Sequence, residues 1–401
     1  QPRRRRDIPS PSVTIVFCFE RRIATFKSRF LLKEWQSSSY FVDLNLAEIT
    51  QNTHNPNTTL TMTARWPSVP SRILADACAA FAVFLTSSGD QRMVDLYLSL
   101  GIMISLSGLA AFAGASLQKR AGRVVVFSTE VVVCLATAAY LQCLWDRPIL
   151  SQLLPFSGTV ILGNWLPVVG SFFLGVCLKT ERITHLRRIV LATVMVGISG
   201  YSLAKPMLGQ PPSCVPSASN STLDFQTTNQ TCSAACAASL LRMHGIPASE
   251  DELARICLTR RGTHWLGVYR GLKLKTANSN WDVIAEEVKP EDLFSSKPIF
   301  GILAMTFQAP GEDQVCDPEW GFESDVGHTV LVLQSRSSKL LDVFDPSPEY
   351  GHETWNEDVL ASVRQSILLR LVPRDGRKSP VEINLAALKQ DINAYPPIAR
   401  R

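Results

Sequence analysis

Residues 226–245 read QTTNQTCSAACAASLLRMHG. From Cys232 to His244 small and apolar side chains recur at helical spacing. Cys236, Leu240 and Met243 share one face, and Gly245 ends the run. The stretch reads as a helix whose first turn holds Cys232. A thiol there meets the unpaired N–H groups and partial positive charge of the helix end, which lower its pKa. The thiolate is the useful nucleophile, and it needs a base to share its proton. Taken alone, Cys232 also fits a buried or bridged cysteine, and a Cys232–Cys236 disulfide would silence it. Cys236 reads as a core residue.

Further along, Ser249-Glu-Asp-Glu252 is a capping box that opens a second helix running to Leu258. Strand-like runs follow at 298–305, 328–334, 340–344 and 366–372. Helices first and antiparallel strands later predict an α+β domain. His328 opens an apolar run after the turn Asp325-Val-Gly327, and Asp345 ends the next run before Pro346. Neighbouring strands can set both side chains at one end of a sheet, and Cys, His, Asp in that chain order form a papain-type constellation. Gln226, upstream of Cys232, has a side-chain amide able to donate to a developing oxyanion. His352 and Asp342 are second choices for base and orienter. Strand alternation sets Asp342 on the opposite phase from Asp345.

These pieces, taken in order, carry a resemblance. Gln226, the pentapeptide TTNQT, Cys232 and the continuation to Gly245 come first. Ser249 to Leu258, Gly262-Thr263, Gly327-His328, Asp345-Pro346, Gly351 and Trp355 follow. Residues 223–360 are thereby similar to the C39 family of papain-like cysteine peptidases. The resemblance implies Cys232 as nucleophile, His328 as general base, Asp345 as its orienter and Gln226 as oxyanion donor, with no cofactor. The chain departs from the family at Ser233, where glycine is frequent. It has no phosphate-binding loop and no ATPase domain, and its apolar segments precede the peptidase-like part. The leader-peptide substrates of the family's exporters therefore do not carry over.

Upstream, five apolar segments read as spanning helices, at 70–90, 95–116, 124–145, 156–178 and 189–208, each near the ~20 residues that cross a bilayer. Lys119, Arg120 and Arg123 fill the loop after the second, and Lys179, Arg182, Arg187 and Arg188 the loop after the fourth. Positive loops stay cytoplasmic. The expected N-terminus is therefore inside and everything after Leu208 outside. Asp76 and Glu130 lie within spans without an evident cationic partner, so a transporter is not expected. Residues 209–222 read as a linker rich in Pro, Ser and Asn. The first methionine is Met62, and residues 1–61 show no sustained period. They are expected to lie upstream of a true start and to carry no function.

The chain has 401 residues, of which 46% are hydrophobic and 19% charged, with a net charge of +5. Charge is scarcer than the roughly 25% of a soluble chain. The basic residues sit between apolar runs rather than on one face, which argues against nucleic acid. The cysteines make no zinc pattern. The expected organisation is a doubtful stretch 1–61, a membrane region 62–208, a linker 209–222, a peptidase-like domain 223–375 and a tail 376–401. The expected protein is a membrane-anchored thiol hydrolase acting on a peptide or protein outside the cytoplasm. A catalytically silent binding or sensor domain on a membrane anchor is the rival.

Overall fold

The chain divides into two units, Gln1–Pro70 and Ser71–Arg401. The computed structural model describes residues 93–181, 184–215, 222–294, 300–307, 327–337, 340–361 and 363–374. The stretch 1–61, the first expected span with Asp76, part of the linker and the tail 376–401 lie outside the described residues.

The apolar helical region comprises α1 (Val94–Arg120), α2 (Arg123–Cys143), the short α3 (Ile149–Leu153) and α4 (Thr159–Leu162), α5 (Leu166–Lys179) and α6 (His185–Ala204). Among the described residues, four helices are long and apolar enough to cross a membrane: Val94–Arg120, Arg123–Cys143, Thr159–Lys179 and His185–Met207. The third is interrupted between α4 and α5 at Gly163, Asn164 and Trp165, with Pro167 in the first turn of α5. Asn164 Nδ2 donates there to the Ser202 carbonyl at 3.1 Å, tying the break to α6. Helices α1 and α5 touch backbone to backbone. A Cβ on Gly175 would run into the Ala111 carbonyl, and one on Gly114 into that of Phe172. Small residues permit this approach, which is how helices gain packing energy where solvent supplies none.

The four spans alternate in direction, so their ends sort into two sets. Tyr97, Tyr140, Trp145 and Tyr201 lie toward the set that carries the C-terminal domain. Lys119, Arg120, Arg123, Lys179, Arg187 and Arg188 lie at the other.

The domain contains α7 (Cys232–Met243), α8 (Glu250–Ile256), α9 (Trp265–Thr276), β1 (Trp281–Glu287), β2 (Gly301–Phe307), β3 (Gly327–Ser337), β4 (Leu340–Asp345), β5 (Gly351–Trp355), α10 (Glu357–Ala361) and β6 (Val363–Pro373). The six strands form one antiparallel sheet in the order β1-β6-β2-β3-β4-β5. This is the α+β arrangement expected, with helix α9 and strands β1 and β5 added to it. Alternation along β3 sends Leu331 and Leu333 to the face covered by α7 and α9, and Val330 and Val332 to a second core with Leu293, Phe294 and Leu360. Burial of both faces is why these strands read as unbroken apolar runs. Helix α7 is buried from Ser233 to Leu241, as befits a helix with small or apolar residues all round.

Packing crosses the expected boundary between membrane region and domain. Leu150 of α3 belongs to the same buried cluster as Leu240, Trp265, Tyr269 and Leu369. The Trp265 indole donates to Asp146 Oδ1 at 2.6 Å, and His264 Nε2 lies 3.0 Å from the same oxygen. The Tyr269 hydroxyl donates to the Ser151 carbonyl at 3.3 Å. Arg147 pairs with Glu287 at the end of β1. Deepest is Arg270, whose side chain has no exposed surface. Its Nε and Nη2 donate to the two carboxylate oxygens of Asp95 at 2.9 and 2.7 Å, and Nη1 donates to the Ile256 carbonyl.

Removing one partner of a buried pair strands the other charge. Asp95→Ala is expected to destabilise the protein by about 3–5 kcal/mol, read as a lowered Tm in nanodiscs. Asp95→Leu combined with Arg270→Met is expected to recover most of that loss. An unchanged Tm in the single variant would show that the pair does not hold the two parts together.

Candidate active site

Cys232 opens α7. The turn before it is held by Thr231, whose hydroxyl donates to the Thr228 carbonyl at 2.9 Å. His328 stands at the start of β3 and Asp345 at the end of β4, so the antiparallel pairing brings them to one end of the sheet. The register sets Leu331 opposite Phe344 and Val332 opposite Val343. His328 and Asp345 lie just beyond the Leu331–Phe344 pair, at the same end of the sheet. His328 Nε2 lies 2.7 Å from Asp345 Oδ2. Asp345 Oδ1 accepts from the Ser347 backbone N–H at 2.8 Å. The Asp345 side chain is almost fully buried, and both its oxygens are thereby fixed.

His328 is coupled in turn to Cys232, and each shifts the other's pKa. Burial opposes ionisation of the Cys232 thiol, but the hydrogen bond and charge of His328, with a hydrogen bond from Ser233, outweigh it and lower its pKa. Burial likewise disfavours the imidazolium. The hydrogen bonds to Asp345 and Cys232 and the charges of both reverse this and push His328 up to about 10. The shifts run in opposite directions, and both favour thiolate and imidazolium over thiol and imidazole.

The other described thiols of the domain move the opposite way. Burial, with the charges of Cys232 and Asp345, raises Cys236 well above its ordinary range. Burial also raises Cys214, and pushes Cys257 up to about 12. The seven described cysteines are all free, so no Cys232–Cys236 bridge is present.

Gln226 is brought beside the Asp345 end of β4. Its backbone N–H donates to the Pro346 carbonyl at 2.7 Å, and the preceding Phe225 ring packs edge-on against Phe344. Its side-chain Oε1 is buried with no hydrogen-bond partner among the described residues. Asp342, on the other phase of β4, accepts from Gln334 and Thr354, and His352 lies 3.9 Å from it. His244 is bonded to the Leu240 carbonyl and packs on Trp281 and Phe300. These residues are committed to other contacts.

Two residues join the site that the sequence reading did not select. Ser233 and Thr329, both buried, share a hydrogen bond between hydroxyls at 2.8 Å. Ser233 thus connects the Cys232 sulfur to the strand residue that follows His328. The departure from glycine at position 233 was the available signal.

Alkylation rate against pH reports the thiolate directly. The alkylation midpoint of wild-type Cys232 is expected below its ordinary value of 9. His328→Ala and, to a smaller extent, Ser233→Ala are expected to move the midpoint upward. The stability linkage has a definite sign. His328 rises from 6.5 to about 10 on folding, so its contribution is complete below about pH 6.5 and is lost as pH climbs through about 10. The Tm of wild type relative to His328→Gln is therefore expected to fall across that window. A parallel dependence in both proteins would contradict the assignment.

No known family's sequence profile matches the chain, and no curated protein matches it. Among solved structures, the peptidase domain of Streptococcus ComA, a bi-functional ABC transporter involved in a quorum-sensing pathway, is similar at 17% identity. That likeness covers 38% of this chain and 97% of the other, with a TM-score of 0.28. The peptidase domain of Streptococcus mutans ComA is similar at 17% identity, over 38% of this chain and 99% of the other, with a TM-score of 0.25.

Proposed function

We propose that this chain is a membrane-anchored, C39-like cysteine peptidase that cleaves a peptide or protein on the extracytoplasmic side. The observation that carries this reading is the hydrogen-bonded His328–Asp345 pair coupled to Cys232, with the thiol in the first turn of a helix and its pKa lowered. The Cys232 thiolate adds to the scissile carbonyl carbon. The oxyanion so formed takes a hydrogen bond from Gln226. As the tetrahedral species collapses, the amine leaves with the proton of the His328 imidazolium, and an acyl-thioester remains. The imidazole then takes a proton from water, the hydroxide adds to the thioester, and the thiolate leaves as the acid is released. Asp345 holds the imidazole in the tautomer and orientation that both halves require.

Charge supports this side of the membrane. The domain is carried at the ends of the spans opposite Lys119, Arg120, Arg123, Lys179, Arg187 and Arg188, and basic ends favour the cytoplasm.

The test uses the full chain in nanodiscs with a limiting chloroacetamide and a pooled peptide library. Labelling of Cys232 is expected at neutral pH, slowed in His328→Ala, and peptide hydrolysis is expected to vanish in Cys232→Ala. His328→Ala is expected to lower turnover about 10²–10⁴-fold, and Gln226→Ala about 10²–10³-fold. Labelling no faster than that of a free thiol and indifferent to His328 would overturn the enzyme reading in favour of a silent binding domain.

A further inference from the structure

The sheet gives a ruler between the membrane and the catalytic strands. Arg147, a few residues beyond the end of the span Arg123–Cys143, pairs with Glu287 on β1. Glu287 is opposite Ile367 on β6, Ile367 opposite Ala304 on β2, and Ala304 opposite Thr329 on β3. Thr329 is the neighbour of His328. One cross-strand row thus leads from the Arg147 contact to the catalytic strand in three steps. At about 4.8 Å per step, the sheet adds at most about 14 Å between that contact and the catalytic strand, whatever its tilt.

The domain is also fixed at that height. The Arg270–Asp95 pair, the Trp265–Asp146 bond and Leu150 in the domain core join it to two different parts of the membrane region. Such a domain does not swing out on a flexible leash. Cys232 and His328 nevertheless lie in the α+β domain and outside every described span, so the bond they reach is in water rather than in the bilayer.

Resting on the peptidase reading, we infer that the substrate is polypeptide tethered to the same membrane, with its scissile bond within about eight residues of the anchor. Eight extended residues reach about 26 Å, enough to cover the rise along the sheet and enter the site. A tethered segment of this length meets a fixed site at an effective concentration of millimolar order. A soluble peptide has no such advantage. The substrate class is a juxtamembrane segment of an anchored protein or lipopeptide, cut beside its anchor.

The test uses the full chain in nanodiscs and a chloroacetyl peptide on a dialkyl anchor, with Gly/Ser spacers of about 2, 8 and 24 residues. The same peptide without an anchor is used at equal bulk concentration. The Cys232 thiolate displaces chloride to form a thioether, read by mass spectrometry of the peptide containing Cys232. The eight-residue anchored probe is expected to label Cys232 at least about tenfold faster than the free probe, and faster than the 24-residue one. No gain from anchoring, or a gain confined to the 24-residue spacer, would overturn the inference while leaving the peptidase reading intact. A free probe that labels Cys232 no faster than an ordinary thiol and ignores His328→Ala would instead remove the peptidase reading, and the inference with it.

Discussion

A guanidinium taken out of water needs an anion and further acceptors around it, or its burial costs more than a domain can spare. Arg270 meets that need across the chain, through a carboxylate in the first turn of a span, 175 residues away. The two-pronged geometry holds helix α9 in one position over the end of α1, because both oxygens of Asp95 are used. Leu150, Tyr269 and the Trp265 indole then close around a geometry already set. The outer pair Arg147–Glu287 is 44% exposed on each side and contributes little energy by comparison. Its value here is as a marker of where the sheet edge meets the membrane loop.

The candidate catalytic residues are positioned by two backbone facts. A helix starts at Cys232, and antiparallel pairing of β3 with β4 brings His328 and Asp345 to one end of the sheet. A slip of one residue in the β3–β4 pairing would send His328 to the opposite face and separate the pair. The Ser347 N–H to Asp345 and the Ser233–Thr329 bond fix the ends of the array. Thr329 also links the helix to the strand through its carbonyl, which accepts from Cys236 Sγ at 3.6 Å. The second cysteine is therefore part of the scaffold on which the first is held.

The readable parts of the chain were those where one signal dominated. The helix from Cys232 was legible because its residues are nearly all small or apolar, and the capping box at Ser249 because Ser249 Oγ accepts from the Glu252 N–H. Strands β3 and β4 were legible as apolar runs because both their faces are buried. Helix α9 was missed because its buried face carries Arg270 and its sequence carries Gly267 and Gly271, so hydrophobic period and helix propensity both fail there. Strand β1 (WDVIAEE) has only a three-residue apolar run between acids, and β5 (GHETW) has none; both are edge strands held by backbone pairing. At the site, residue type and order pointed to Cys232, His328 and Asp345. Ser233 and Thr329 needed coordinates, because a hydroxyl pair 96 residues apart leaves no local pattern.

The long separation between Asp95 and Arg270 also bears on how the protein is made. Chain order puts the spans, and with them Asp95, Asp146 and Leu150, out of the ribosome before any of the peptidase-like domain. The nascent domain therefore meets a finished docking surface. Contacts of such high sequence separation form late, after local helices and hairpins. Until α9 packs, Asp95 lacks its guanidinium partner and the apolar side of α3 is uncovered. The upstream helices are thus the surface against which the later half of the chain completes its core.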